Sequence, residues 1–388
     1  MGKWFNSVVD MFLKLFQAFK KVKLNPPQKN DVIIFDVCGS DFLSRFVLDG
    51  IGHTVLPVRH EEHYFTLKLA ILFIKNFFSK FICRADCRNI FLIYLLSCVE
   101  YIQPKIVITF IDNNYLFHTI SNVYNDADFY AIQNGLRMRH ARNHSDVSSR
   151  CGSTFKIKNL LCFGEHEREL YQRYGHSIAK IHPVGSLKGS YFKTQLARKD
   201  EIQTFDLCII SQWRKQVMLE GCHSNFKKAI DIMNTFILKF IVETKISFCV
   251  ATCLNEKEER EYYKNIFGEK SFLVDFNRAG MSTYFAIDKS KVAVTFCSTV
   301  GYEAFGWGKK VLFCNFSDDN LYDFPIEGLW SVFKDDYKEF KNKLTCLLET
   351  PERDYRQTAE KAASYVMNYN FSYPVHSYLR DIILKRLR

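Results

Sequence analysis

Short apolar, β-branched runs alternate with longer helical patterns along nearly the whole chain. The runs at 31–36, 54–58, 105–111, 129–132, 159–163 and 180–184 predict one set of strands, and those at 206–210, 246–251, 272–274, 292–296 and 311–316 a second. Helical spacing between them predicts helices from about 42, over 64–82, 88–101 and 164–174, and then over 226–244, 256–267, 300–307, 335–349, 352–368 and 373–388. Alternation of this kind builds parallel sheets covered by helices. The polar stretch 188–204 reads as a linker between a domain at 25–187 and one at 205–350, with 351–388 as C-terminal helices. The expected architecture is α/β, with two Rossmann-like domains facing each other across a cleft. Ahead of the first domain, Phe5, Val8, Phe12, Leu15 and Phe19 recur at helical spacing among five lysines, so 1–24 reads as an amphipathic basic helix. Such a helix lies in a membrane interface or docks on the protein's own core.

The strand ends carry the polar chemistry. In 292–316 a buried strand runs into Cys297-Ser298-Thr299, then a short helix bearing Glu303, then Gly306 and Gly308, then a second strand. A hydroxyl-capped helix start offers unpaired N–H groups and a positive dipole end to a phosphate. Ser298, Thr299 and Gly301 are candidates for that contact, and Glu303, one turn on, for ribose hydroxyls; an ordinary βαβ unit has the same outline. In the other half Asp36 and Asp41 flank a turn through Gly39, Asp112-Asn113-Asn114 follow the strand at 105–111, and Gln133-Asn134-Gly135-Leu136-Arg137 follow that at 129–132. Ser211-Gln212-Trp213-Arg214 end the first strand of the second domain. No G-x-G-x-x-G accompanies the first turn, so a dehydrogenase fingerprint is missing. The polar cluster 59–63 reads as a solvated loop rather than a metal site, and the basic stretch 138–153 as an anion-binding loop.

Composition narrows the partners. The 388 residues carry 53 basic and 42 acidic side chains, a net charge of +11, which favours anionic ligands or an anionic surface. No nucleic-acid motif accompanies the charge. The 13 cysteines are scattered, many within apolar runs, and no cleavable signal peptide is read, so they are expected as buried thiols in a reducing compartment. The expected location is cytoplasmic, peripheral on the inner face of the cytoplasmic membrane. No metal site and no cofactor are expected; a nucleotide-sugar would be a substrate.

The segments Ile-Thr-Phe-Ile-Asp-Asn-Asn (108–114), Ala-Ile-Gln-Asn-Gly-Leu-Arg (131–137), Pro-Val-Gly-Ser-Leu (183–187) and Cys-Ser-Thr-Val-Gly-Tyr-Glu-Ala-Phe-Gly-Trp-Gly-Lys-Lys-Val-Leu-Phe (297–313) resemble the bacterial surface carbohydrate biosynthesis proteins, GT-B enzymes of O-antigen or capsule assembly. The resemblance spans the chain from about residue 31, and a more distant one reaches CDP-glycerol glycerophosphotransferases and UDP-sugar epimerases. It implies a glycosyltransferase that binds its nucleotide-sugar donor through the second domain and a glycan or lipid-linked acceptor through the first. On that reading Ser298, Thr299, Gly301 and Glu303 hold the donor with Ser211, Gln212 and Arg214, the last two offsetting leaving-group charge in place of a metal. Gln133, Asn134, Gly135, Arg137 and Asn113 line the acceptor side. Asp112, Asp36 and Asp41, in that order, are candidates for the base that takes the acceptor proton. A CDP-polyol phosphotransferase of teichoic-acid type and a non-catalytic scaffold of polysaccharide assembly stand as alternatives.

Overall fold

A computed structural model describes residues 21–59, 62–83, 87–137, 154–197, 204–218, 224–254, 256–269 and 271–388. Fourteen strands lie among them. In the first half they are β1 Lys21–Lys23, β2 Val32–Phe35, β3 His53–Leu56, β4 Glu62–Tyr64, β5 Ile106–Thr109, β6 Asp128–Ile132, β7 Lys156–Cys162 and β8 Ser177–Pro183. The second half holds β9 Phe205–Ile210, β10 Phe248–Ala251, β11 Phe272–Val274, β12 Ser290–Thr295, β13 Lys310–Cys314 and β14 Ser331–Val332. The helices of the first half are α1 Ser40–Phe46, α2 Leu67–Asn76, α3 Ile90–Ile102, α4 Tyr115–Val123 and α5 Glu165–Arg173, and α6 Leu187–Tyr191 leaves it. The second half adds α7 Lys215–Met218, α8 Ser224–Thr244, α9 Lys257–Phe267, α10 Ser282–Asp288 and α11 Thr299–Gly306, followed by α12 Tyr337–Glu349, α13 Glu352–Val366 and α14 Val375–Leu387.

Two six-stranded sheets result, ordered β3-β2-β5-β6-β7-β8 and β11-β10-β9-β12-β13-β14, with every pairing parallel. Parallel sheets are covered on both faces, which is why their strands read as unbroken apolar runs. Val32, Ile33, Ile34 and Phe35 are all fully buried. Strand order reverses between β2 and β5 in one sheet and between β9 and β12 in the other. At such switch points the loops leaving the two strands part and open a crevice beyond the strand ends. The expected pair of Rossmann-like sheets is therefore present.

Several expectations change. The stretch at 188–204 is not a polar connector over the part described. It forms α6 and a following π-helical turn, Phe192–Leu196. Leu187 and Phe192 are fully buried, and Phe192 packs on Tyr284, Phe285 and Trp307 of the second half. One apolar core thus runs from the β2–β5 face through this segment into the second half. A second core fills the other face of the first sheet. Glu62 and His63 belong to β4, which pairs with β1 as a separate two-stranded sheet, instead of a solvated loop. Lys21–Lys23 is β1 and not the end of a helix; residues 1–20, which carry the rest of the expected amphipathic helix, lie outside the described residues, as do the basic stretch 138–153 and His60 and Glu61. The chain then returns. Asn368 donates to the Phe163 and Pro183 carbonyls, Arg380 to the Val47 carbonyl, and Arg386 pairs with Asp128, so α14 packs on the first half. No helix among the described residues is long and apolar enough to cross a membrane.

Candidate active site between the two sheets

At the second switch point β12 ends in Thr295, and the chain turns through Phe296 and Cys297 into α11, whose N-cap is Ser298. Gln212, just past β9, fills the space between the parted loops. Its side-chain carbonyl accepts from the Thr295 hydroxyl (3.0 Å) and from the backbone N–H groups of Phe296 (3.0 Å) and Cys297 (2.8 Å). Gln212 is therefore a brace that shapes the loop, and the expectation that it faces a leaving group is corrected. Ser211 is corrected likewise: it is buried and donates to Glu259, a buried carboxylate that also accepts from the Cys253 and Leu254 N–H groups. Arg214 is exposed at the same loop.

The start of α11 keeps what the brace does not use. The Ser298 hydroxyl makes no capping bond, and the N–H groups of Thr299 and Val300 have no acceptor among the described residues. Gly301 is tightly placed, since a Cβ there would lie 2.7 Å from the Thr295 methyl. Thr299 faces the first half: its hydroxyl accepts from the Leu136 N–H at 3.2 Å. Two loops from different sheets, 133–137 and 298–300, thus meet at the strand ends.

The 133–137 loop is itself held by a buried ionic knot. Asp112 is fully buried and accepts from Arg137 through Nε (2.8 Å) and Nη2, from the Tyr171 hydroxyl and from the Asn134 N–H. The Arg137 guanidinium is only 6% exposed, and burial works against its charge, yet the adjacent carboxylate holds its pKa up. Gln133 donates to the Gly135 carbonyl (2.9 Å) and accepts from the Phe163 N–H (3.0 Å). Asp112, Arg137 and Gln133 consequently form the loop through bonds to one another and to its backbone, and a base at Asp112 is corrected to a structural anion. Asp36 is also fully buried, caps the Cys38 N–H (3.1 Å) and pairs with Arg59 at 2.7 Å, so it too is withdrawn from the cleft as a base. Asp41, in the first turn of α1, is exposed, as is Asn134, while Gly135 and Asn113 are half-buried.

Two side chains that the sequence did not single out complete the site. Lys188, on α6, lies over the rings of Phe110 (5.3 Å) and Phe42 (5.9 Å) at the first switch point. Burial and Arg278 push its pKa down, while Glu303 and Asp41 pull it up. Gly39 admits this packing: it sits at φ +75°, and any Cβ would strike the Phe110 ring. Glu303, nearly buried, accepts from the Ser186 hydroxyl, the N-cap of α6, and from the Tyr284 hydroxyl (2.6 Å), and burial raises its pKa. It is not open to the crevice as expected; a ribose would have to exchange with one of these hydroxyls. Glu167 lines a cavity of about 310 Å³ between the halves, together with Arg137, His166, Tyr302, Asp323 and Glu327. It is 2% exposed, its Oε2 has no hydrogen-bond partner among the described residues, and burial raises its pKa to about 8 against the pull of Arg137. Glu167 was legible as a carboxylate on the same helix face as Leu170 and Tyr171. Lys188 was not, because the segment around it reads as linker. Among the described residues no group of three or more His, Cys, Asp or Glu is placed to hold a metal.

Residues 130–381 match the sequence profile of a family described as "putative O-antigen biosynthesis protein". No curated protein matches the sequence significantly. Among solved structures, the Staphylococcus aureus MnaA–UDP co-structure is similar with a TM-score of 0.55 at 12% identity, covering 92% of this chain and 94% of that one. The UDP-GlcNAc 2-epimerase of Neisseria meningitidis bound to UDP-GlcNAc gives 0.51 at 13% identity, covering 92% and 98%. The UDP-GlcNAc 2-epimerase of Methanocaldococcus jannaschii gives 0.51 at 13%, covering 92% and 99%. At these identities the likeness establishes the two-sheet GT-B-type fold.

Proposed function

This chain belongs to a family of O-antigen biosynthesis proteins, and we propose that it is a metal-independent glycosyltransferase moving a sugar from a nucleotide-sugar to a surface polysaccharide or lipid-linked glycan. The observation that carries this reading is the opposition of the α11 start to the 133–137 loop across the cleft. Departure of a nucleoside diphosphate adds negative charge at the phosphate, and pre-placed donors stabilise it without rearranging. The Ser298 hydroxyl and the Thr299 and Val300 N–H groups supply donors, and Lys188, Arg278 and Arg214 supply positive charge. Glu303 takes the ribose by exchanging the Ser186 or Tyr284 hydroxyl. The acceptor enters from the first half, past Asn134 and Asn113. Asp41 is the remaining candidate base, exposed and within the field of Lys188. Contact with the inner face of the cytoplasmic membrane through residues 1–24 belongs to the same reading.

Calorimetric titration with UDP-, CDP-, GDP- and CMP-sugars tests it. Ser298→Ala and Lys188→Met should each weaken the preferred donor by about tenfold or more, the loss expected for a hydrogen bond or contact to a charged group. Absence of binding by every donor, or affinity indifferent to both substitutions, refutes the donor site. Deuterium entering C2 of UDP-GlcNAc from heavy water with no acceptor present would replace transfer by epimerisation.

A further inference from the structure

Helix α2 and the π-helical turn that continues it, Phe77–Phe81, present an apolar stripe to solvent. Leu67 (77% exposed), Ile71 (58%), Ile74 (56%), Phe78 (63%) and Ile82 (52%) are spaced four, three, four and four residues apart. At 3.6 residues per turn the five fall within an arc of roughly 80°. The buried Leu69 and Asn76 lie on the opposite side, and Asn76 bonds to Ser97 (3.2 Å) and Glu100 (3.0 Å) of α3. The helix is therefore anchored by one face, where Leu69, Phe73 and Phe77 pack on the core, while a second apolar face is left outward, where a surface helix usually carries polar residues. Phe65, 60% exposed, extends the stripe towards β1.

Charge selects what covers it. Lys68 and Lys75 are exposed along one edge of the stripe, and no acidic residue occurs from His63 to Cys83. In a two-fold contact between copies the same basic edges would meet with no carboxylate from this segment to receive them. An anionic lipid surface supplies both parts of the complement: acyl chains for the stripe and headgroup charge for the lysines. We propose that the outward face of α2 and its π-helical extension docks the protein on an anionic bilayer. This surface is distinct from residues 1–24, and the inference rests on the exposed stripe, independently of the transferase reading. It lies on the half proposed to take the acceptor, so docking would bring that half to a lipid-linked glycan.

The experiment is co-sedimentation of the full chain with phosphatidylcholine vesicles with and without phosphatidylglycerol, no nucleotide being added. The protein should partition onto the phosphatidylglycerol vesicles, and the triple variant Ile71→Glu/Ile74→Glu/Phe78→Glu should lose that binding by about tenfold or more with its circular dichroism unchanged. As a milder second variant, Lys68→Gln/Lys75→Gln should bind the anionic vesicles more weakly and the neutral ones as before. Failure of the native chain to bind would overturn the proposal. So would native-like binding by the triple variant, which would assign docking to residues 1–24. Light scattering that finds a dimer made monomeric by the triple substitution would give the stripe to a second copy and overturn it too.

Discussion

The substitution Glu167→Gln should change the pH dependence of stability in a calculable way. The carboxyl keeps its proton up to about pH 8 in the folded chain, because burial in the inter-half cavity disfavours the anion more than Arg137 favours it. Unfolded, it releases the proton near pH 4.5. Between these values the folded state binds one more proton, so raising the pH favours unfolding. At about 1.4 kcal/mol per pH unit the ceiling is roughly 5 kcal/mol, lost progressively from pH 4.5 and complete above about 8. A glutamine side chain has the same shape and no proton to lose. Urea unfolding from pH 4.5 to 9 should therefore give nearly equal stabilities at the acid end, and a variant several kcal/mol more stable than the native chain at the alkaline end, within that ceiling. Parallel profiles for the two proteins, or a carboxyl carbon resonance of Glu167 that titrates near 4.5, would refute the assignment of a neutral carboxyl in the cavity.

Two further substitutions address the loops. Arg137→Leu leaves Asp112 buried without its cation and should cost about 3–5 kcal/mol in urea unfolding; Asp112→Leu/Arg137→Leu should recover much of it, and a single-variant loss below about 1 kcal/mol would show the pair to be dispensable. Gln212→Leu strips the acceptor from the Phe296 and Cys297 N–H groups, each worth about 1–3 kcal/mol when left unpaired, so melting should fall and donor affinity with it. Unchanged melting would mean that the loop does not depend on the brace.

The strands were legible because parallel sheets bury both faces, which leaves apolar runs such as Val32–Phe35 and Val292–Val294. The polar residues closing those runs were equally visible, and the structure does bring 133–137 and 298–300 together. What periodicity could not reveal is the direction of each polar side chain. Asp112, Gln133, Ser211 and Gln212 look like ligand contacts when read as strand-end polar residues, yet the loops they occupy have backbone groups that need partners, and these side chains supply or brace them. Helix α4 escaped the pattern because the polar residues His118, Thr119 and Ser121 sit among its buried positions and blur the apolar spacing, and the helix is fixed instead by the Asn114 cap and by burial. The stretch 188–204 looked like a connector because its polar and charged residues outnumber its apolar ones. Leu187 and Phe192 are nonetheless fully buried at its start, since both halves close over the same spot.

The chain passes between the two halves twice, outward at 185–197 and back at 367–374, and the two passages touch. A Cβ on Gly185 or Gly189 would collide with Tyr369, and Met367 Sδ accepts from the Ser186 N–H. Both connections between the halves therefore run side by side, so a rotation about the line through them would stretch neither. A bulkier residue at Gly185 or Gly189 would wedge the two passages apart right beside Ser186 and Glu303.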